Sequence, residues 1–134
     1  LKEIETSIEE YAALGIKVMI TELDITVLPN PWDLEGAEVS QNYENSAAMN
    51  PYPNELPDSV ALRLAKRYSD IFQLFKKHSD KISRVTFWGV NDGQSWLNGW
   101  PIKGRTNYPL PFNRNNRPKS AYDSIIQVSR DTIL

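Results

Sequence analysis

The chain has 134 residues, 40% apolar and 24% charged, an ordinary balance for a globular protein. Its net charge of -2 excludes the basic footprint that nucleic acid or an anionic membrane surface would need. With no cysteine and a single histidine, His78, disulfides, thiolate metal sites and any multi-histidine metal centre built by this chain alone are excluded as well.

No run approaches the roughly 18 apolar residues of a membrane-spanning helix. The opening Leu1-Lys2-Glu3 reads as the interior of a longer protein, so the lack of a leader carries no information about secretion. Ile4, Ile8, Tyr11 and Ala12 then recur at helical spacing among Glu3, Glu5, Glu9 and Glu10, which predicts an amphipathic helix over 3–14. Its acids lie toward the start, where the helix dipole favours them. Gly15 stands where a glycine in the left-handed region would end that helix.

Residues 16–25, Ile-Lys-Val-Met-Ile-Thr-Glu-Leu-Asp-Ile, are β-branched and nearly continuously apolar up to Thr21, as in a parallel strand buried on both faces. Glu22 and Asp24 close it. Two carboxylates there are costly to bury without a purpose or a partner. Residues 28–58 hold Pro29, Pro31, Pro51, Pro53 and Pro57 among Asn, Ser and Gly, which reads as a long irregular connection. Tyr43 and Tyr52 are candidates to pack it down.

Asp58 is the expected N-cap of the next helix. Ala61, Leu64, Tyr68, Ile71, Phe72 and Phe75 give that helix, over 59–78, one core-directed face. Its Lys76-Lys77-His78 end suits a helix C-terminus and makes His78 a surface residue. Residues 82–90 read as a second buried strand, followed by the polar turn Asn91-Asp92-Gly93-Gln94-Ser95 between Trp88 and Trp96. A loop rich in Trp, Pro, Gly and Arg runs from Leu97 to Pro118. A closing helix covers 119–128, with Pro118 near its first turn.

Helix–strand–helix–strand–helix without a hairpin signal argues for βα units around a parallel sheet. Two strands cannot close a barrel or cover their own faces, so the chain alone would leave sheet edges and apolar surface in water. In a (β/α)8 barrel the catalytic groups sit at the C-terminal strand ends, where Glu22, Asp24, Trp88, Asp92 and Trp96 all fall. Retaining glycoside hydrolysis needs two carboxyls about 5–5.5 Å apart. Glu22 and Asp24 share a strand face with Cα atoms roughly 6.5–7 Å apart. Both would approach a sugar from one side, so a second carboxyl from another strand fits better.

Ile20-Thr21-Glu22-Leu23-Asp24 resembles the nucleophile motif of glycoside hydrolase family 10, the endo-β-1,4-xylanases. Phe87-Trp88-Gly89-Val90, Asp92, Ser95-Trp96-Leu97-Asn98 and Trp100-Pro101 resemble that family's eighth strand and the loop after it. Tyr108-Pro109-Leu110-Pro111-Phe112 and Arg117-Pro118-Lys119-Ser120-Ala121-Tyr122 resemble its last segment. Asn91, Pro111 and Ser120 depart from the usual Thr, Leu and Pro of the pattern.

The resemblance implies an α/β fold, the C-terminal segment of a (β/α)8 TIM barrel from helix 6 to helix 8 with strands 7 and 8, incomplete alone. Residues 1–134 would be part of a catalytic domain, with 26–58 the strand-7 loop and 91–118 the strand-8 loop. It implies Glu22 as nucleophile in endo-acting, retaining cleavage of β-1,4-xylan. Asp24 would be a supporting residue that orients a histidine on the nucleophile, and Trp88 and Trp96 substrate-binding walls that favour a pentose. The acid/base Glu and that histidine would lie upstream of Leu1, in an N-terminal remainder of the barrel that is this chain's partner besides xylan.

No cofactor, metal, nucleic acid or membrane is implied, and a secreted, periplasmic or cell-surface location is. Arg105 reads as a pin for its own loop, while Trp32 and Trp100 stay open between sugar contact and packing. The rival readings are a barrel hydrolase of another β-glycan and a non-catalytic carbohydrate-binding module using surface tryptophans. Such modules are usually β-sandwiches, which the helical periodicity of 59–78 opposes.

Overall fold

The computed structural model describes residues 1–31 and 46–131; Trp32 and Tyr43 lie outside the described residues. The elements in chain order are α1 (Lys2–Ala13), β1 (Val18–Leu23), α2 (Asp58–Lys77), β2 (Ile82–Phe87) and α3 (Ser120–Arg130), with 3-10 turns at 92–94 and 96–98 before α3. The predicted alternation is present, with strands shorter than the apolar runs implied. A β-sandwich reading is therefore overturned.

Helix ends follow local chemistry, with some corrections. Gly15 adopts φ +78° just past α1, the left-handed stop expected of it. Asp58 is the first helical residue rather than the N-cap: Pro57 caps α2 with an extended backbone and no side-chain bond. Pro118 lies before α3, whose cap is Lys119. His78 is not a surface residue; only 3% exposed, it ends α2 folded back on α1.

β1 and β2 pair in parallel. The expectation of burial on both faces holds for one face. Val18, Ile20, Leu23 and Ile25 of the first strand region and Ile82 and Val85 of the second pack on Ile8, Ile71 and Phe75 of the helices. A second cluster of Leu64, Tyr68 and Ala121 joins α2 to α3 under Leu23, Val27 and Phe87. The other face shows Met19, Thr21, Arg84 and Thr86 to solvent. In α1 only Ile8 is buried; Ile4 and Tyr11, expected on its core stripe, are exposed. Full burial of such a side chain is worth about 1.5–3 kcal/mol, so α1 hangs chiefly on Ile8.

The ladder is irregular where it matters. Ile20 pairs with Val85 but Leu23 pairs with Phe87, so β1 spends three residues where β2 spends two. The extra residue is a bulge at Thr21–Glu22. In a regular strand Glu22 would follow Val18 and Ile20 onto the helix-covered face, because side chains alternate. The bulge breaks that phase. Leu23 and Ile25 turn to the helices, leaving Glu22 and Asp24 together on the opposite face. Bulges re-aim side chains in this way beside active sites.

Candidate active site

The C-terminal ends of the two strands lie side by side, joined by a bond from the Trp88 N–H to the Leu23 carbonyl at 3.1 Å. Glu22 is exposed and Asp24 half-buried, while Trp88 and Trp96 are 47% and 46% exposed. The predicted groups therefore gather at one end of the sheet. Glu22 looks into the uncovered side of the sheet, where the strands that close a barrel would stand.

Asp24 has a partner that the sequence did not suggest. The Trp96 indole Nε1 donates to its Oδ2 at 2.9 Å. Burial pushes the Asp24 carboxyl up, the Trp96 N–H pulls it back, and the nearby charge of Glu22 adds to the push. The last cause reflects how close the two carboxylates lie. Trp96 also stacks on Trp100, with centroids 4.8 Å apart and planes inclined by 26°.

What holds these side chains is the 91–118 loop, which is tied internally rather than by regular structure. The Asn91 side chain accepts from the Gly93 N–H at 2.9 Å and the Gln94 N–H at 3.3 Å, fixing the first turn after β2. Gly89 adopts φ +143°, and a Cβ there would stand 2.9 Å from Leu110 Cδ1. Only glycine lets the chain leave Trp88 under Leu110.

Asp92 is fully buried and is the hub. Its carboxylate accepts from the Leu110 N–H at 2.9 Å and from Lys119 Nζ at 2.9 Å. Lys119 also donates to the Tyr108 and Leu110 carbonyls, each at 2.8 Å. Burial pushes the Asp92 carboxyl up and the Lys119 ammonium down, and each pulls the other back toward its charged form. Asp92 thus anchors the loop.

Two further residues, passed over or underweighted by sequence reasoning, complete the frame. Asn107, fully buried, donates from Nδ2 to Thr26 Oγ1 at 2.8 Å, while its Oδ1 accepts from the Val27 N–H at 3.2 Å. It clamps the loop after β2 to the segment after β1. Arg105, 4% exposed, donates to the carbonyls of Pro29, Met49 and Trp100, so it pins the loops as expected. Burial pushes its guanidinium down. Neither motif spacing nor periodicity carries a signal for Asn107; a run such as Gly104-Arg105-Thr106-Asn107 only marks a loop.

Among the described residues, one group has metal-ligand chemistry: Glu5, Glu9 and His78 offer ligand atoms within 4.8 Å of one another. It sits at the far end of α2 from the tryptophans. Lys81 donates to His78 Nδ1 at 3.2 Å, which leaves Nε2 to donate to Glu5 at 2.8 Å. Lys77 adds a cation to Glu5 at 2.7 Å. Both imidazole nitrogens are committed, and the cluster is an ion-pair network that ties α1 to α2.

The profile of Glycosyl hydrolase family 10 matches residues 1–128. The chain is 45% identical to the endo-1,4-beta-xylanase A of Xylanibacter ruminicola across 96% of its own length and 35% of that protein's. It is 38% identical to a thermostable celloxylanase of Thermoclostridium stercorarium, over 97% of this chain and 29% of that one. Among solved structures, a GH10 endoxylanase from a sugarcane soil metagenome superposes with a TM-score of 0.86 at 45% identity, over 96% of this chain and 35% of that one. Xylanase B of Clostridium stercorarium F9 gives 0.73 at 36% identity, over 93% and 32%. The chain thus spans about a third of the length of these relatives. It belongs to glycosyl hydrolase family 10, as a C-terminal segment of the family's (β/α)8 barrel.

Proposed function

We propose that this segment supplies the nucleophile of an endo-acting, retaining β-1,4-xylanase. Glu22 attacks the anomeric carbon and forms a covalent glycosyl-enzyme, which water then hydrolyses. Asp24 supports that carboxylate, and its second oxygen is the one a donor from the rest of the barrel would take. Trp88 and Trp96 wall the site on the non-reducing side. Residues 1–134 form part of the catalytic barrel, with 26–58 and 91–118 as its strand-7 and strand-8 loops. Xylan is too large to enter a cell intact, so the enzyme works in a secreted, periplasmic or cell-surface location.

The observation that carries this reading is the bulge at Thr21–Glu22. It turns a carboxylate away from the helices to the open side of the sheet, beside Asp24 and two half-exposed tryptophans. A structural ion pair would instead show a cation acting on Asp24; among the described residues the charge that acts on it is that of Glu22. The general acid that protonates the leaving oxygen belongs to the N-terminal remainder of the barrel. The segment by itself is accordingly inactive, and complementation with that remainder restores turnover.

The decisive experiment traps the complete enzyme with a 2-fluoro xylobioside and maps the labelled peptide. The label belongs on Glu22, and any other site overturns the assignment. One relative's name, celloxylanase, favours a second reading in which another β-glycan is also cleaved. Turnover on xylan against soluble cellulose separates the two.

A further inference from the structure

The loop after β2 carries an aromatic contact that the mechanism above leaves unused. Trp100 is stacked on Trp96, the residue whose N–H reaches Asp24. The Trp100 carbonyl in turn accepts from Arg105 Nη2 at 3.4 Å. That guanidinium is buried and fastened to the Pro29 carbonyl at 2.9 Å. A line of contacts therefore runs from a buried arginine, through Trp100 and Trp96, to the carboxylate two residues past Glu22.

The geometry gives each link a physical task. An indole N–H bonds a carboxylate only while the ring plane is held, because two side-chain torsions set where the nitrogen points. Trp96 is 46% exposed, so burial does not fix those torsions. What lies against its ring is Trp100, in the offset, slightly inclined arrangement that aromatic pairs favour. Such a stack biases a rotamer by on the order of 2- to 10-fold. Arg105 grips the Trp100 carbonyl and so helps to place that residue.

We propose that Trp100 is a positioning residue whose ring holds Trp96 on Asp24, and thereby fixes the supporting carboxylate beside Glu22. It need not touch the substrate to do so. The proposal rests on the reading of Glu22 and Asp24 given above, and it assigns the Trp96–Trp100 pair a task distinct from stacking on sugar.

The test uses the complete catalytic domain with Trp100→Ala, Trp100→Phe, Trp96→Phe and the double variant Trp96→Phe/Trp100→Ala. On an activated aryl xylobioside, Trp100→Ala is expected to lower kcat about 5- to 10-fold with KM within twofold, and Trp100→Phe to restore most of the loss. In the Trp96→Phe background, where no indole N–H remains, Trp100→Ala should add nothing. A raised KM with unchanged kcat would mean that Trp100 touches sugar, and effects that multiply in the double variant would mean that it acts independently of Trp96; either result overturns the proposal.

A second readout does not depend on turnover. The Trp96 indole Nε1–H resonance should move as Asp24 titrates in the unmodified domain, and should lose that response in Trp100→Ala. An unchanged response overturns the proposal whatever the enzyme cleaves. A lost response together with a trapping label away from Glu22 would keep the contact and remove the catalytic reading instead.

Discussion

Replacing Asp92 by Asn tests the loop frame most directly. The substitution keeps shape and an acceptor for the Leu110 N–H, yet removes the charge that faces Lys119 at 2.9 Å. The Lys119 side chain is 11% exposed and that of Asp92 fully buried, so the ammonium is left in a site with carbonyls but no counter-charge. Breaking one partner of such a pair costs about 3–5 kcal/mol. Urea unfolding of the complete domain should show that loss as a lower midpoint with an unchanged slope. Removing both charges, in Asp92→Asn/Lys119→Met, should cost less than the sum of the single losses by at least about 2 kcal/mol. The Tyr108 and Leu110 carbonyls still lose their donor, so some loss remains. A loss below about 1 kcal/mol for Asp92→Asn, the size of an exposed pair, would refute the argument that burial makes this pair matter.

Other perturbations separate frame from chemistry. Deleting Thr21 leaves Ile20 and Leu23 facing the helices in regular alternation around Glu22. The fold should therefore survive by circular dichroism while activity falls by about 10²-fold or more, since the carboxylate is displaced along the strand; retained turnover would show the bulge to be incidental. Arg105→Met removes a buried donor from the Pro29, Met49 and Trp100 carbonyls and should cost about 1.5–3 kcal/mol, with faster proteolytic cutting between residues 97 and 107. Lys77 and His78 hold the Glu5 carboxyl down at about 2, from the ordinary 4.5. A depressed acid stabilises above its unfolded pKa, so this contribution is complete above about pH 4.5 and lost as pH falls through about 2. The stability gap between the unmodified domain and Glu5→Gln should therefore be present at pH 6 and shrink toward pH 2, as melting temperatures would report.

The sequence shows the architecture well because helices and buried strands advertise themselves through spacing. Leu64, Tyr68, Ile71 and Phe75 face the core as their helical period requires, and Gly15 stops α1 where it stands. Failures come where neighbours decide. Ile4 and Tyr11 share the apolar stripe of α1, yet among the described residues only Ile8 finds a packed place. His78 looked exposed from its lysine neighbours; its burial depends on Glu5, more than seventy positions away. Asn107 acts through the Thr26 hydroxyl and the Val27 N–H, and Lys119 through loop carbonyls, which no pattern of residue types reveals.

The bulge is the instructive intermediate case. A continuous apolar run hides register, because every residue suits either face of a doubly covered strand. Yet the helix-facing residues are Val18 and Ile20, then Leu23 and Ile25, and that change from even to odd positions is written in the sequence. A phase slip inside a strand, at the step where a carboxylate appears, has a physical meaning. The slip keeps the core covered on one side while delivering Glu22 to the other, and a regular strand could not do both with this order of residues. The signal that locates the candidate nucleophile is thus the break in the pattern more than the acid itself. The same reasoning accounts for the solvent exposure of the candidate nucleophile in this segment: its face of the sheet is the one that a closed barrel would turn inward, toward the strands on the opposite side.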